Sequence, residues 1–216
     1  LTQYQKINKE CAAANALLVA VSKIKPVSDI KALYNAGQRD FGENYVQELV
    51  DKQAQLPEDI RWHFIGHLQS NKVKYIVPFV YLIHGVDSLK LLKEISKQAV
   101  KLNRRVNCLL QVHIAQEETK FGLDEAELQE LVASVSASPE AFEGVQIRGL
   151  MGMASFTENE AQIRQEFRQL TGWANQYLPA ILSDSNSKIL SFGMSGDYTI
   201  ALEEGSTLVR IGSLLF

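Results

Sequence analysis

A chain of 216 residues, 46% hydrophobic and 22% charged, can bury one sizeable core without a disulfide or metal framework, so one domain spanning 1–216 is expected. Its 22 Lys and Arg stand against 25 Asp and Glu, giving a formal net charge of -3 with no basic block, which argues against nucleic acid as a partner. Cys11 and Cys108 lie far apart with no paired His spacing, so neither a disulfide framework nor a metal site is expected, and a reducing, cytoplasmic setting fits.

The N-terminal stretch Leu1-Thr2-Gln3-Tyr4-Gln5-Lys6 is polar, and no apolar run approaches the ~20 residues that span a bilayer, so no membrane partner is expected. A chain that opens on Leu rather than Met is expected to lack a few leading residues. From there β-branched runs alternate with helical patterns. A helix over roughly Gln3 to Ala14 precedes the buried-strand run Leu17-Leu18-Val19-Ala20-Val21. Pro26 follows, with Ser28 and Asp29 as N-cap candidates for a helix that Gly37 ends.

The pattern repeats. Asp40-Phe41-Gly42 precedes a helix from Asn44, Trp62-His63-Phe64-Ile65 one near Asn71, and Tyr81-Leu82-Ile83-His84 one capped by Asp87 or Ser88, with Leu89, Leu92, Ile95 and Ala99 at helical spacing. A fifth strand over 106–112 leads to a helix from Asp124. A sixth over 146–151 leads to a long helix with the stripe Ile163, Phe167, Leu170 and Ala174. Ile189-Leu190-Ser191-Phe192 and Thr207-Leu208-Val209-Arg210-Ile211 complete eight strands. The fold class is therefore α/β: a single (β/α)8 TIM barrel with an additional N-terminal helix, since an open doubly wound sheet seldom alternates so evenly to this number.

The working face of such a barrel is the C-terminal end of its strands. Lys23 leaves the first strand there, and its stem can reach inward over the apolar core, where partial desolvation favours the neutral, nucleophilic amine. Taken alone, it also reads as a lysine that snorkels to water. Closing the barrel brings Arg210 beside it, and two like charges at one mouth call for an anion or one neutral member. Gly193-Met194-Ser195-Gly196-Asp197 opens a helix after the seventh strand, and Ile211-Gly212-Ser213 follows the eighth. These loops are the usual phosphate seat of the fold, though Gly and Ser are also ordinary loop formers.

Six motifs run in order over nearly the whole chain. They are Val-Ala-Val-Ser-Lys-Ile-Lys-Pro at 19–26, Phe-Gly-Glu-Asn-Tyr-Val-Gln-Glu at 41–48, Trp-His-Phe-Ile-Gly-His-Leu-Gln-Ser-Asn-Lys at 62–72, Arg-Gly-Leu-Met at 148–151, Gly-Met-Ser at 193–195 and Val-Arg-Ile-Gly at 209–212. Together they closely resemble the pyridoxal phosphate (PLP) homeostasis protein family. The resemblance implies a barrel like the N-terminal domain of alanine racemase, with pyridoxal 5′-phosphate as a Schiff base on Lys23. It also implies phosphate contacts from Ser195, Gly196 and Gly212, and Arg210 facing the pyridine nitrogen, where a permanent cation disfavours ring protonation and makes a poorer electron sink. Asn44 and Met151 match positions lining the cofactor, although a Met at a strand end is commonly core filling.

His67 at the end of the third strand is a possible cavity residue, whereas His63 and His84 within apolar runs read as structural and Glu43 as a helix-start carboxylate. No catalytic residue is assigned. Racemisation needs a base on each face of the cofactor plane. In alanine racemases the opposing tyrosine comes from a separate C-terminal domain, and this chain stops directly after the eighth strand. The expected function is thus a PLP-binding protein of vitamin B6 and amino-acid homeostasis without robust turnover, monomeric, with PLP-dependent apoenzymes or a regulatory protein as candidate partners. A weak PLP-dependent racemase and a PLP-responsive interaction module stand as alternatives.

Overall fold

The computed structural model describes residues 2–119, 121–182, 184 and 187–216. Helix α1 (Thr2–Ala13) leads into β1 (Leu17–Val21), α2 (Val27–Asn35), β2 (Asp40–Glu43), α3 (Val46–Gln53), β3 (Arg61–Phe64) and α4 (Val73–Ile76). Then come β4 (Leu82–Val86), α5 (Leu89–Lys101), β5 (Val106–Gln111), α6 (Glu125–Ala137), β6 (Val145–Met151), α7 (Glu160–Tyr177), β7 (Ile189–Ser191), α8 (Tyr198–Glu203) and β8 (Leu208–Ile211). Among the described residues the eight strands pair in sequence order, all parallel, and β8 returns to β1 to close the barrel. The expected (β/α)8 barrel with one extra helix in front is what forms.

The strands are mainly apolar because both faces are covered. Outward-facing Leu18, Ala20, Phe41, Phe64, Ile83 and Cys108 join helix residues such as Ile30, Leu49, Leu92, Phe167 and Leu170 in one continuous core. Inward, Val19, Leu82, Leu109, Met151 and Leu208 form a separate small cluster that fills the barrel. Each such side chain contributes about 1.5–3 kcal/mol by leaving water.

Helix termini follow local chemistry. The Ser88 side chain caps α5 by accepting from the Leu91 N–H at 3.1 Å. Asp124 and Glu127 form a reciprocal capping box on α6. Two expected starts are corrected. Helix α2 begins at Val27 behind Pro26, whose fixed φ of -67° suits the extended cap position, and not behind Ser28 or Asp29. Helix α3 begins at Val46 rather than Asn44, because the Asn44 backbone is held against Gly66: a Cβ on Gly66 would lie 2.2 Å from the Asn44 carbonyl oxygen. Among the described residues no helix is long and apolar enough to cross a membrane.

Candidate functional site

The register of the parallel strands decides which side chains enter the barrel, since paired residues on neighbouring strands point the same way. Val19 pairs with Arg210, Gly42 with His63 and Ser191 with Leu208. The interior therefore holds polar residues beside its apolar cluster: Asp40, His63, His84, Ser191 and Arg210 are all buried.

Arg210 lies near the C-terminal end of β8 and is 3% exposed. Its Nη1 donates to the Ser191 carbonyl oxygen at 2.9 Å and to Ser191 Oγ at 2.5 Å, and its Nη2 donates to the Gly152 carbonyl oxygen at 3.1 Å. Burial pushes the guanidinium down to about 10, with Asp197 working in the other direction, so at neutral pH it remains a cation. Its backbone N–H donates to the Gly193 carbonyl oxygen at 3.0 Å. Gly193 adopts a φ of +99°, and a Cβ there would meet the Ala201 Cβ at 2.4 Å, so only glycine allows the loop after β7 to turn this tightly. The turn delivers Ser195, whose Oγ accepts from the Gly212 N–H at 3.4 Å. Gly212 in turn lies against the end of β1: a Cβ there would be 3.2 Å from the Val21 carbonyl oxygen.

Lys23 stands in the turn immediately after β1. Ser195, Gly196, Arg210, Gly212 and Lys23 are thus gathered along the seam where β7, β8 and β1 meet. The Lys23 side chain is exposed at this mouth. The next residue, Ile24, adopts a φ of +61°, and its N–H donates to Glu48 Oε1 at 2.6 Å. After β7, helix α8 has only six residues, so the seam is lined mainly by the loops.

The other expected residues are spread around the same mouth. Asn44 follows β2 with its Oδ1 buried and without a hydrogen-bond partner. Met151 ends β6 and is 1% exposed, packed into the interior apolar cluster. His67 sits in the loop after β3, its ring stacked on Phe121 at 4.4 Å and its Nδ1 3.6 Å from Asp87, so its contacts go towards the loops after β4 and β5. Glu43 is not a helix-start carboxylate. It ends β2, fully buried, with Oε1 accepting from Ser22 Oγ at 2.5 Å and Lys52 Nζ at 2.7 Å. Burial raises its pKa despite Lys52 and Ser22.

Sequence reading missed two groupings: this Glu43–Lys52 pair and the polar residues behind Arg210. His63 and His84 are joined to each other, Nδ1 to Nε2, at 2.9 Å. The signal available was their parity, since polar residues at inward positions of apolar strands must find partners inside.

The fold and site define a (β/α)8 protein whose last two βα loops bring a serine and small residues together over a buried arginine, with an exposed lysine after the adjoining first strand. The family model described as "Alanine racemase, N-terminal domain" matches residues 2–216. The chain belongs to that family and, within it, to the pyridoxal phosphate homeostasis proteins. The Pyridoxal phosphate homeostasis protein of Aquifex aeolicus is 39% identical over 220 residues, covering 98% of this chain and 93% of the relative. Its namesake from Schizosaccharomyces pombe is 36% identical over 213 residues, covering 98% and 87%. The structure of PipY from Synechococcus elongatus with PLP bound matches with a TM-score of 0.82 at 37% identity, covering 94% of this chain and 92% of that one. Alanine racemase from Bartonella henselae shares the fold, with a TM-score of 0.74 at 19% identity over 57% of its length.

Proposed function

We propose that this chain is a pyridoxal 5′-phosphate-binding protein of vitamin B6 and amino-acid homeostasis, with 1–216 as its single cofactor-binding domain. The observation that carries the reading is the seam itself, where Lys23, Ser195, Gly212 and the buried Arg210 come from three adjacent strand ends. The seam suits the group: a hydroxyl and small-residue loop backbone for the phosphate, an exposed amine for the aldehyde, a fixed cation for the ring nitrogen, and a buried amide oxygen on Asn44 still without a partner. When bound, the cofactor supplies an aldehyde that condenses with an amine.

Each residue then has a defined task. Lys23 provides the covalent attachment, and its exposure keeps it open to exchange with incoming amines. Ser195, Gly196 and Gly212 hold the phosphate. Arg210, charged and clamped by two carbonyl oxygens, opposes protonation of the ring nitrogen. Asn44 and Met151 line the cofactor, and His67 borders the cavity from the far side.

The reading is of a carrier without robust turnover, cytoplasmic and monomeric, that exchanges PLP with apoenzymes or a regulatory partner. It is supported by the names of the relatives and by the cation at the ring position, which weakens carbanion stabilisation. The test is the visible absorption of the purified, PLP-loaded protein followed by borohydride reduction and peptide mapping. A reduced pyridoxyl group on Lys23, with no turnover of L-amino acids, is expected. A protein that stays colourless and unmodified, or a modification on another lysine, would overturn the reading.

A further inference from the structure

Behind Arg210 a hydrogen-bonded chain crosses the whole barrel. Arg210 Nη1 meets Ser191 Oγ at 2.5 Å, and Ser191 Oγ meets His84 Nδ1 at 3.1 Å. His84 Nε2 meets His63 Nδ1 at 2.9 Å, and His63 Nε2 meets Asp40 Oδ1 at 2.9 Å. Asp40 is finally held by Arg61, whose Nε lies 2.8 Å from Oδ1 and Nη2 2.5 Å from Oδ2. Asp40 and Arg61 open strands β2 and β3, so they lie at the N-terminal face, opposite the seam.

The two ends fix the direction of every link. A guanidinium has no acceptor and an ionised carboxylate has no donor. Burial lowers the pKa of both histidines, outweighing the pull of Asp40 on His63, so each ring is neutral with one N–H. Burial would raise the Asp40 carboxyl, but the hydrogen bonds from His63 and Arg61 outweigh it and hold it below the usual range. Asp40 therefore takes the Nε2–H of His63. His63 Nδ1 must then accept from the Nε2–H of His84, and His84 Nδ1 from the Ser191 hydroxyl. Ser191 Oγ accepts from Arg210. One arrangement of hydrogens satisfies every atom, and its dipoles all point from Arg210 to Asp40.

Resting on the PLP reading above, we infer that Asp40, through His63, His84 and Ser191, is a remote positioning residue: it orients Arg210 and partly offsets the charge Arg210 presents to the cofactor. His63, His84 and Ser191 are all fully buried, away from bulk solvent. In so enclosed a path a charge at one end acts at the other with little screening. The charged and titratable groups facing the path among the described residues are Asp40, Arg61, Tyr81 beside His63, Arg210, and Asp197 from the loop after β7.

The test uses the PLP-loaded full chain and reads the pH midpoint of the cofactor's visible absorption band. Asp40→Asn keeps an acceptor for His63 but removes the charge. Ser191→Ala removes only the hydroxyl that links Arg210 to His84. Each should lower the midpoint by about half a pH unit, because each leaves the cation at the ring less compensated. The double variant should go no lower than the larger single shift, since both cut one path. Unchanged midpoints, or shifts that add, would overturn the inference.

Should Asp40→Asn fail to fold, Ser191→Ala alone decides. Peptide mapping of the reduced wild type separates the two readings: a missing Lys23 adduct counts against the cofactor assignment. The path itself is then read in the cofactor-free protein by nitrogen-15 NMR. Both histidines should show the neutral Nε2–H form from mildly acid to mildly alkaline pH. A protonated ring or the opposite tautomer on either residue would overturn the proposed path.

Discussion

Lys52 Nζ lies 2.7 Å from Glu43 Oε1 and 2.6 Å from the Ser22 carbonyl oxygen, tying the ends of β1 and β2 to α3 directly beneath the Lys23 loop. Both side chains of the ion pair are buried, and Glu43 Oε2 has no hydrogen-bond partner. Breaking such a pair from one side strands a charge. Lys52→Met should therefore cost about 3–5 kcal/mol, and adding Glu43→Gln should recover most of it. Urea unfolding of the two variants checks this.

Lys23 is exposed and makes no part of the core, so Lys23→Ala should keep wild-type stability to within about 0.5 kcal/mol while losing all covalent cofactor. Circular dichroism melting and absorbance after PLP incubation read the two effects separately.

Arg210 combines a desolvation cost with three hydrogen bonds, so its removal subtracts terms of both signs from stability. Arg210→Gln should melt near the wild-type temperature but release PLP about tenfold more readily, with a shifted absorption band. Equilibrium dialysis measures the retention.

His63 and His84 have folded-state pKa values below 6.5, so the unfolded chain binds their protons first as pH falls. Stability should therefore drop as pH falls below about 6.5, by up to about 1.4 kcal/mol per pH unit for each histidine. The Asp40 contribution is lost only at lower pH, below the ordinary aspartate value of 3.8. Denaturant midpoints across mildly acid pH should show the slope, and His84→Gln should reduce it.

Ile24 is a β-branched residue at a φ of +61° and 81% exposed, so nothing in the core rewards its conformation. Ile24→Asn should stabilise the fold by about 1 kcal/mol, raising the melting temperature by about 2–4 °C in a chain of this size. Differential scanning calorimetry is the check.

The barrel was legible because runs such as 17–21 are apolar throughout, as suits strands covered on both faces, and Gly37, Ser88 and Asp124 punctuate the helices between them. The starts of α2 and α3 were not, because Pro26 and the close approach of Gly66 to Asn44 override capping preference. At the site, Lys23, Ser195 and Arg210 could be placed at strand ends from the sequence alone. The path from Arg210 to Asp40 could not. Alternation along a strand tells which side a residue faces, but the stagger between strands sets its height in the barrel. Only that stagger brings His84 of β4 level with Ser191 of β7 and His63 of β3.

The pairing of β1 with β8 also governs when the protein can first work. Lys23 leaves the ribosome well before Arg210 and Gly212, and the seam between them exists only once β8 has docked on β1. A nascent chain thus carries Lys23 long before it has the loops of the seam, and long-range closure of this kind is slow compared with forming local helices. The proposed cofactor site is therefore a property of the closed barrel alone.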